Sequence, residues 1–205
     1  MNQSFRFKPA EIGKFSAGPD ECLKQFSKDC RIMGMTMGDF SLIDIIHSTL
    51  KKTGPANVVI ATWSAGIKDA HQVKWMVDTD LITNLHLLTD HSYKTRQSKY
   101  AATIEELFGK ENIRTSEMHA KFVLIGNDEY KVAILSSMNL NANKTCEIFE
   151  IEEGEGVYAF LKEFVLHHFD NMEHGFIASS EKVTKCVESY FNAKQIVSTK
   201  HWSDE

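Results

Sequence analysis

The residues best suited to chemistry lie in one segment, HAKFVLIGNDEYKVAILSSMNLNANKTCE. His119 and Lys121 stand two residues apart at the start of a predicted strand, so their side chains project from the same face of a sheet. Ser137 and Asn139 follow the next predicted strand, and Glu147 begins a third. An antiparallel hairpin brings its two open ends together, so we expect the imidazole, ammonium, hydroxyl and amide to meet at one end of the sheet.

These groups suit the binding and attack of a phosphate. A lysine neutralises anionic oxygens, while an amide and a hydroxyl donate hydrogen bonds to them. A neutral histidine acts as nucleophile or as acid and base near pH 7. A carboxylate bonded to the other ring nitrogen fixes the histidine tautomer and stabilises its cation. We expect Glu147 to be that partner of His119, with Glu150 as the alternative.

A second group of polar residues lies in TDHSYKTRQSKY, which follows a predicted buried strand and begins a helix. Strand ends of this kind border the ligand crevice in α/β sheets. The candidates in this segment for binding a phosphodiester backbone are Asp90, Lys94 and Arg96. Trp63, which follows another predicted strand, and Asn143, in the motif segment, are further candidates for contacts with the backbone or its bases. Alternatively, the charged residues form the solvated start of a helix, and Trp63 packs in the core. Asn143 is alternatively a turn residue.

The order HxK, SSxN and a downstream glutamate resembles the catalytic motif of the phospholipase D superfamily. The form NLNANKTCE is similar to the small single-motif branch of that superfamily, and the resemblance extends over about residues 38–170. One position departs from the pattern, since the family has an aspartate five residues after the lysine and this chain has Gly126.

The resemblance implies a metal-independent phosphodiesterase without a cofactor. In that chemistry one histidine attacks phosphorus to give a phosphohistidine, and a second protonates the leaving oxygen. The chain contains HxK once, so the resemblance implies a homodimer with the active site on its twofold axis. Small members of the branch are typically nucleases, which predicts an endonuclease acting on nucleic acid. Two alternatives stay open: a catalytically weakened binding or assembly module, and a lipid or small-phosphodiester hydrolase.

The elements that must position these residues follow from hydrophobic periodicity and turn signals. The pattern predicts strands at 30–36, 57–62, 81–88, 113–116, 119–125, 130–136 and 147–152, and helices at 40–51, 69–77, 95–109, 157–172 and 181–191. Alternating strands and helices with a late hairpin predict an α/β sandwich with a mixed sheet. The phospholipase D resemblance implies the same fold, with helices on both faces. We expect one domain over 1–205, with a core at about 31–175 and a C-terminal helix and tail at 176–205.

Composition narrows the class of protein that the sequence can encode. The 205 residues are 42% hydrophobic and 25% charged, and 23 basic against 28 acidic residues give a net charge of −5. That charge disfavours a protein that coats nucleic acid non-specifically. No run approaches the roughly 18 apolar residues of a membrane span, and the N-terminus lacks an apolar signal region, so a cytoplasmic protein is expected. The four cysteines form no CxxC pair, which favours free thiols.

Overall fold

Eight strands form one mixed sheet in the computed structural model, which describes residues 10–14, 18–141 and 144–198. The strands are β1 (Glu11–Lys14), β2 (Arg31–Thr36), β3 (Ala56–Thr62), β4 (Ile82–Asp90), β5 (Ile113–Ser116), β6 (Phe122–Gly126), β7 (Lys131–Ser136) and β8 (Glu147–Glu153). The helices are α1 (Pro19–Cys22), α2 (Leu42–Thr53), α3 (Ile67–Asp78), α4 (Ser92–Arg96), α5 (Ser98–Phe108), α6 (Glu155–Asn171) and α7 (Ser180–Ser198). The order across the sheet is β1-β2-β8-β7-β6-β3-β4-β5.

One edge of this sheet gathers the strand ends that carry the predicted site. β6 and β7 form the predicted antiparallel hairpin, with Phe122 opposite Leu135. β3 runs antiparallel to β6 and parallel to β4. β8 lies between β7 and β2 and is antiparallel to both, with Glu147 opposite Thr36. The carboxyl ends of β2, β3, β4 and β7 therefore meet the amino ends of β6 and β8, and we call this the site edge.

Helices cover both faces of the sheet, and a hydrophobic core is buried on each face. Val58 and Ile60 of β3 pack in the larger core with Ile45 of α2, on the face that α2, α3 and α5 cover. Ala61 of β3 instead joins Tyr158 of α6 in the smaller core on the opposite face. Alternate residues of a strand point to opposite faces, and a strand covered on both faces is apolar throughout. The predicted mixed sheet with helices on both faces is confirmed.

The boundaries of α2 agree with the capping signals in the sequence. Ser41 is its N-cap, and the Asp44 carboxylate accepts a hydrogen bond of 2.8 Å from the Ser41 backbone N–H, which completes a capping box. Gly54 ends the helix at φ 76°, a left-handed conformation that glycine adopts without strain. None of the helices within the described ranges is long and apolar enough to cross a bilayer.

The structure differs from the predicted elements at three places. The helix predicted at 95–109 is two helices, α4 and α5, because Gln97 leaves the helical conformation at φ −137° and ψ 51°. The strand predicted from His119 begins at Phe122, although pairing already starts where the Ser136 N–H donates to the Lys121 carbonyl at 3.1 Å. β1 and α1 lie in residues 1–30, where the sequence pattern predicts no element.

Candidate active site

His119 and Lys121 lie side by side immediately before β6, at the site edge. The Lys121 ammonium donates to the His119 carbonyl oxygen at 2.8 Å, and its Nζ lies 3.0 Å from the ring Nδ1 of His119. An ammonium has only hydrogens to donate, so a hydrogen bond between the two side chains requires the ring nitrogen to be the acceptor. His119 is exposed, and its ring is open to a ligand approaching this edge.

The environment of Lys121 acts on its charge in two opposing ways. Burial lowers the pKa of the Lys121 ammonium below its usual value, and the negative charge of Glu147 opposes that shift. A partly desolvated ammonium interacts more strongly with an anion than a fully hydrated one does, because the local dielectric is lower. Lys121 is therefore suited to bind an oxyanion beside His119.

Glu147 lies next to Ser137 rather than next to His119. The Ser137 hydroxyl donates to Oε2 of Glu147, and the Thr145 hydroxyl donates to Oε1 at 3.2 Å. The hydrogen bond predicted between Glu147 and the His119 ring is not formed in this arrangement of the described residues. The Glu147 carboxylate is instead occupied by the hydroxyls of Ser137 and Thr145. Glu147 thus orients Ser137 and acts on Lys121 through its charge.

Asn139 lies beyond the end of β7 and is held by the end of β3. Its Oδ1 lies 3.4 Å from the hydroxyl of Thr62, which also accepts the Leu140 N–H at 3.1 Å. The single hydrogen of the Thr62 hydroxyl has a nearer acceptor in the Ser64 carbonyl at 2.8 Å. Among the described residues none accepts a hydrogen bond from the Asn139 amide, so its hydrogens can serve as donors to an anion. Thr62 is completely buried, and sequence reasoning did not assign it a role. The polar residue at the end of an otherwise apolar strand was the available signal.

On the β3 and β4 side, Trp63 contacts His119 and Arg96 packs on Trp63. The Trp63 ring centroid lies 5.4 Å from that of His119, and the Arg96 guanidinium lies 3.7 Å above the Trp63 ring. Arg96 also donates to the Trp63 carbonyl at 3.1 Å. Trp63 is only half-buried, so it is neither a free surface residue nor a residue of the deep core.

The remaining candidates have other surroundings. The Asp90 carboxylate is buried and accepts hydrogen bonds from the backbone N–H groups of Ser92 and Met118, at 2.9 and 3.2 Å. The Lys94 ammonium donates to the Phe176 carbonyl at 3.0 Å, so the structure does not bring it to His119. Asn143 lies outside the described residues.

Gly126, where the resemblance leads one to expect an aspartate, lies at the far end of β6. It lies five positions after Lys121, which is about 17 Å along an extended strand. The Tyr158 ring of α6 packs over this glycine, and a Cβ placed there would lie 2.7 Å from the ring Cζ. Because Tyr158 occupies the space, any larger residue would have to displace it. The departure from the motif is therefore a packing feature remote from His119 and Lys121.

Comparison with known proteins supports the fold independently of the motif. No protein-family model matches the chain, and no curated protein matches it in sequence. Among solved structures, the chain is similar to Nuc from Salmonella typhimurium, a phospholipase D family member, with 10% identity over 70% of this chain and 96% of that chain at a TM-score of 0.51. It is also similar to NucT from Helicobacter pylori, with 14% identity over 70% of this chain and 99% of that chain at a TM-score of 0.52. The phospholipase D-like fold implied by the motif is thus confirmed.

Proposed function

We propose that the protein is a metal-independent phosphodiesterase that cleaves nucleic acid as a homodimer. The observation that carries the proposal is the meeting of the motif residues at one edge of a phospholipase D-like sheet. These residues are His119, Lys121, Ser137, Asn139 and Glu147. They supply a nucleophile, a cation and neutral hydrogen-bond donors, and these are the groups that displacement at a phosphodiester requires.

The reaction proceeds in two displacements. A neutral ring nitrogen of His119 attacks phosphorus, and the bond from phosphorus to the leaving oxygen breaks as the imidazolium of the partner subunit's His119 protonates that oxygen. Water then attacks the phosphohistidine, its proton passes to the partner's His119, and the bond from phosphorus to nitrogen breaks. Lys121 and Asn139 hold the non-bridging oxygens throughout. Lys121 exchanges its contact with the His119 ring for the phosphate when substrate binds.

An uncovered part of the sheet beside the site supports the homodimer. Met35 and Ile148 lie opposite each other on β2 and β8, and they are 43% and 48% exposed. Next to them, an open groove of about 350 Å³ is lined by Met33, Leu135 and Ser137. An exposed apolar patch of this kind marks a contact surface. A second chain seated there would lie directly beside Ser137 and Glu147, as the proposed shared site requires.

Nucleic acid is the proposed substrate because the motif resembles that of the small single-motif branch. Exposed cations near the site edge add to this, since Lys68 lies in the first turn of α3 and Lys144 lies shortly before β8. Basic side chains that flank a catalytic centre bind successive phosphates of a polynucleotide.

The test is cleavage in the presence of excess EDTA. We expect degradation of DNA or RNA and of bis-p-nitrophenyl phosphate by wild type and no turnover by His119→Ala. The matched control is His71→Ala, which removes an exposed histidine from α3 and should retain full activity. Binding of nucleic acid without cleavage would favour the assembly module. Hydrolysis of short-chain phosphatidylcholine in place of nucleic acid would favour the lipid enzyme.

Assembly is tested separately by light scattering at micromolar concentration. The expected mass is twice the 23.3 kDa of one chain. Met35→Lys and Ile148→Lys should each shift the protein towards monomer and lower activity together with dimer content, because each places a charge in the apolar contact. A monomer that cleaves at full rate would refute the twofold site.

A further inference from the structure

The ring of His119 lies against Trp63, and the position of Trp63 is itself fixed. The two ring centroids are 5.4 Å apart at an interplanar angle of 54°. The Arg96 guanidinium lies 3.7 Å from the centroid of Trp63, within the range of a cation–π contact. Trp63 therefore makes ring contacts with two protein groups, one of which is the proposed nucleophile.

Two hydrogen bonds hold Arg96 over that ring. Its Nη2 donates to the Trp63 carbonyl at 3.1 Å, and its Nε donates to the Ser92 hydroxyl at 3.0 Å. A guanidinium is planar and carries its donors in a fixed fork, so these two bonds set the orientation of its stacking face. Arg96 is the last residue of α4, where the break at Gln97 directs the chain away from the helix axis.

The buried carboxylate of Asp90 connects this stack to the backbone of the catalytic segment. Its Oδ1 accepts the Ser92 N–H at 2.9 Å and also accepts the Ser92 hydroxyl hydrogen. Its Oδ2 accepts the N–H of Met118, the residue before His119, at 3.2 Å. Asp90 is 7% exposed. One carboxylate thus joins the backbone on one side of His119 to the residue that holds Arg96.

We propose that Trp63, Asp90, Ser92 and Arg96 form a closed support, the His119 bracket, that positions the imidazole for attack. The inference rests on the proposed function, which makes His119 the nucleophile. Lys121 leaves the His119 ring when it binds the phosphate, so Trp63 is then the ring contact that remains. Arg96 and Trp63 are positioning residues in this view, and their effect on the substrate passes through His119. Misplacement of a reacting group by about 1 Å costs up to about 100-fold in rate.

The first experiment compares Arg96→Lys with Trp63→Leu and with the double variant. Arg96→Lys keeps the charge but loses the planar fork that holds Arg96 over Trp63, and Trp63→Leu removes the ring that contacts His119. Each single variant should therefore lower kcat about tenfold with little change in KM. The double variant should be no worse than the more severe single one, because both act through one contact. Lys99→Ala removes a nearby exposed cation outside the bracket, and it should leave kcat unchanged.

The second experiment follows the ring nitrogens of His119 by NMR, which requires no turnover. Arg96→Lys and Trp63→Leu should shift the same His119 resonances, whereas Lys99→Ala should not. Wild-type kcat in Arg96→Lys, an effect confined to KM, additive losses in the double variant, or unchanged His119 resonances would each overturn the bracket. Since the spectra report on His119 even in a protein that cleaves nothing, failure of the bracket is distinguishable from failure of the proposed function.

Discussion

Replacing Gly126 with alanine should destabilise the protein and leave the chemistry of each folded molecule intact. The added Cβ would meet the Tyr158 hydroxyl and lie 2.7 and 3.1 Å from Cζ and Cε2 of a ring that is 6% exposed. Overpacking of a buried site costs about 1–3 kcal/mol. For a chain of this size that corresponds to a fall in Tm of roughly 2–12 °C, at about 2–4 °C per kcal/mol.

Thermal unfolding followed by circular dichroism measures the effect, and Gly156→Ala is the matched control. Gly156 lies in the first turn of α6, and no heavy atom outside its immediate neighbours approaches within 4 Å of a Cβ placed there. Alanine at that position should therefore stabilise the protein by about 0.4–1 kcal/mol. Gly126→Ala combined with Tyr158→Leu should be more stable than the sum of the two single losses indicates, because leucine vacates the contested space.

Two results would refute this reasoning about Gly126. The first is a Gly126→Ala protein with the wild-type Tm, which would mean that Tyr158 does not occupy the space above the glycine. The second is a Gly126→Asp protein whose turnover per folded molecule rises, which would mean that position 126 acts on the site from about 17 Å away.

Three further predictions concern charge. Lys121→Met should lower turnover by about 100- to 1,000-fold, the usual loss when one preorganised donor is removed, and should weaken inhibition by vanadate; equal inhibition of wild type and variant would place the phosphate elsewhere. Glu147→Gln removes the negative charge that raises the pKa of Lys121, so the alkaline limb of the kcat/KM profile should move to lower pH, and an unmoved limb would contradict the coupling. Burial lowers the pKa of the His168 imidazole, so its contribution to stability is complete above about pH 6.5 and is lost as the pH falls towards the lower pKa of the folded state. The unfolding free energy of His168→Leu should therefore fall less between pH 7.5 and pH 5 than that of wild type, as urea titrations at the two pH values would show.

The fold was largely predictable because its elements carry local signals. β3 is a short β-branched apolar run, α2 has a capping box and a terminal glycine, and β6 and β7 flank a turn sequence. The break between α4 and α5 was not predictable, because no proline or glycine marks Gln97. Arg96, the residue before the break, bonds to the Trp63 carbonyl, a group 33 positions away in the chain.

The chemical groups of the candidate site were also readable from the chain, since the type, order and spacing of His119, Lys121, Ser137 and Asn139 are sequence properties. The hydrogen-bond partners of these groups were not readable from the chain. Glu147 has the position in the motif of a partner for His119, yet its carboxylate accepts hydrogen bonds from the hydroxyls of Ser137 and Thr145. Which group the Glu147 carboxylate contacts depends on side-chain positions at the strand ends, and the succession of strands along the chain does not specify these.

The sequence alone therefore determined the reactive groups and the elements that bear them, because periodicity, turn chemistry and motif spacing act within a few residues. Only the tertiary structure decided which groups touch. It buried Asp90 between Ser92 and Met118, stacked Arg96 on Trp63 beside His119, and set Tyr158 over Gly126. Each of these contacts joins residues that are distant in the chain or lie on different elements. Their energies depend on distance and burial, and a linear sequence specifies these only through the complete fold.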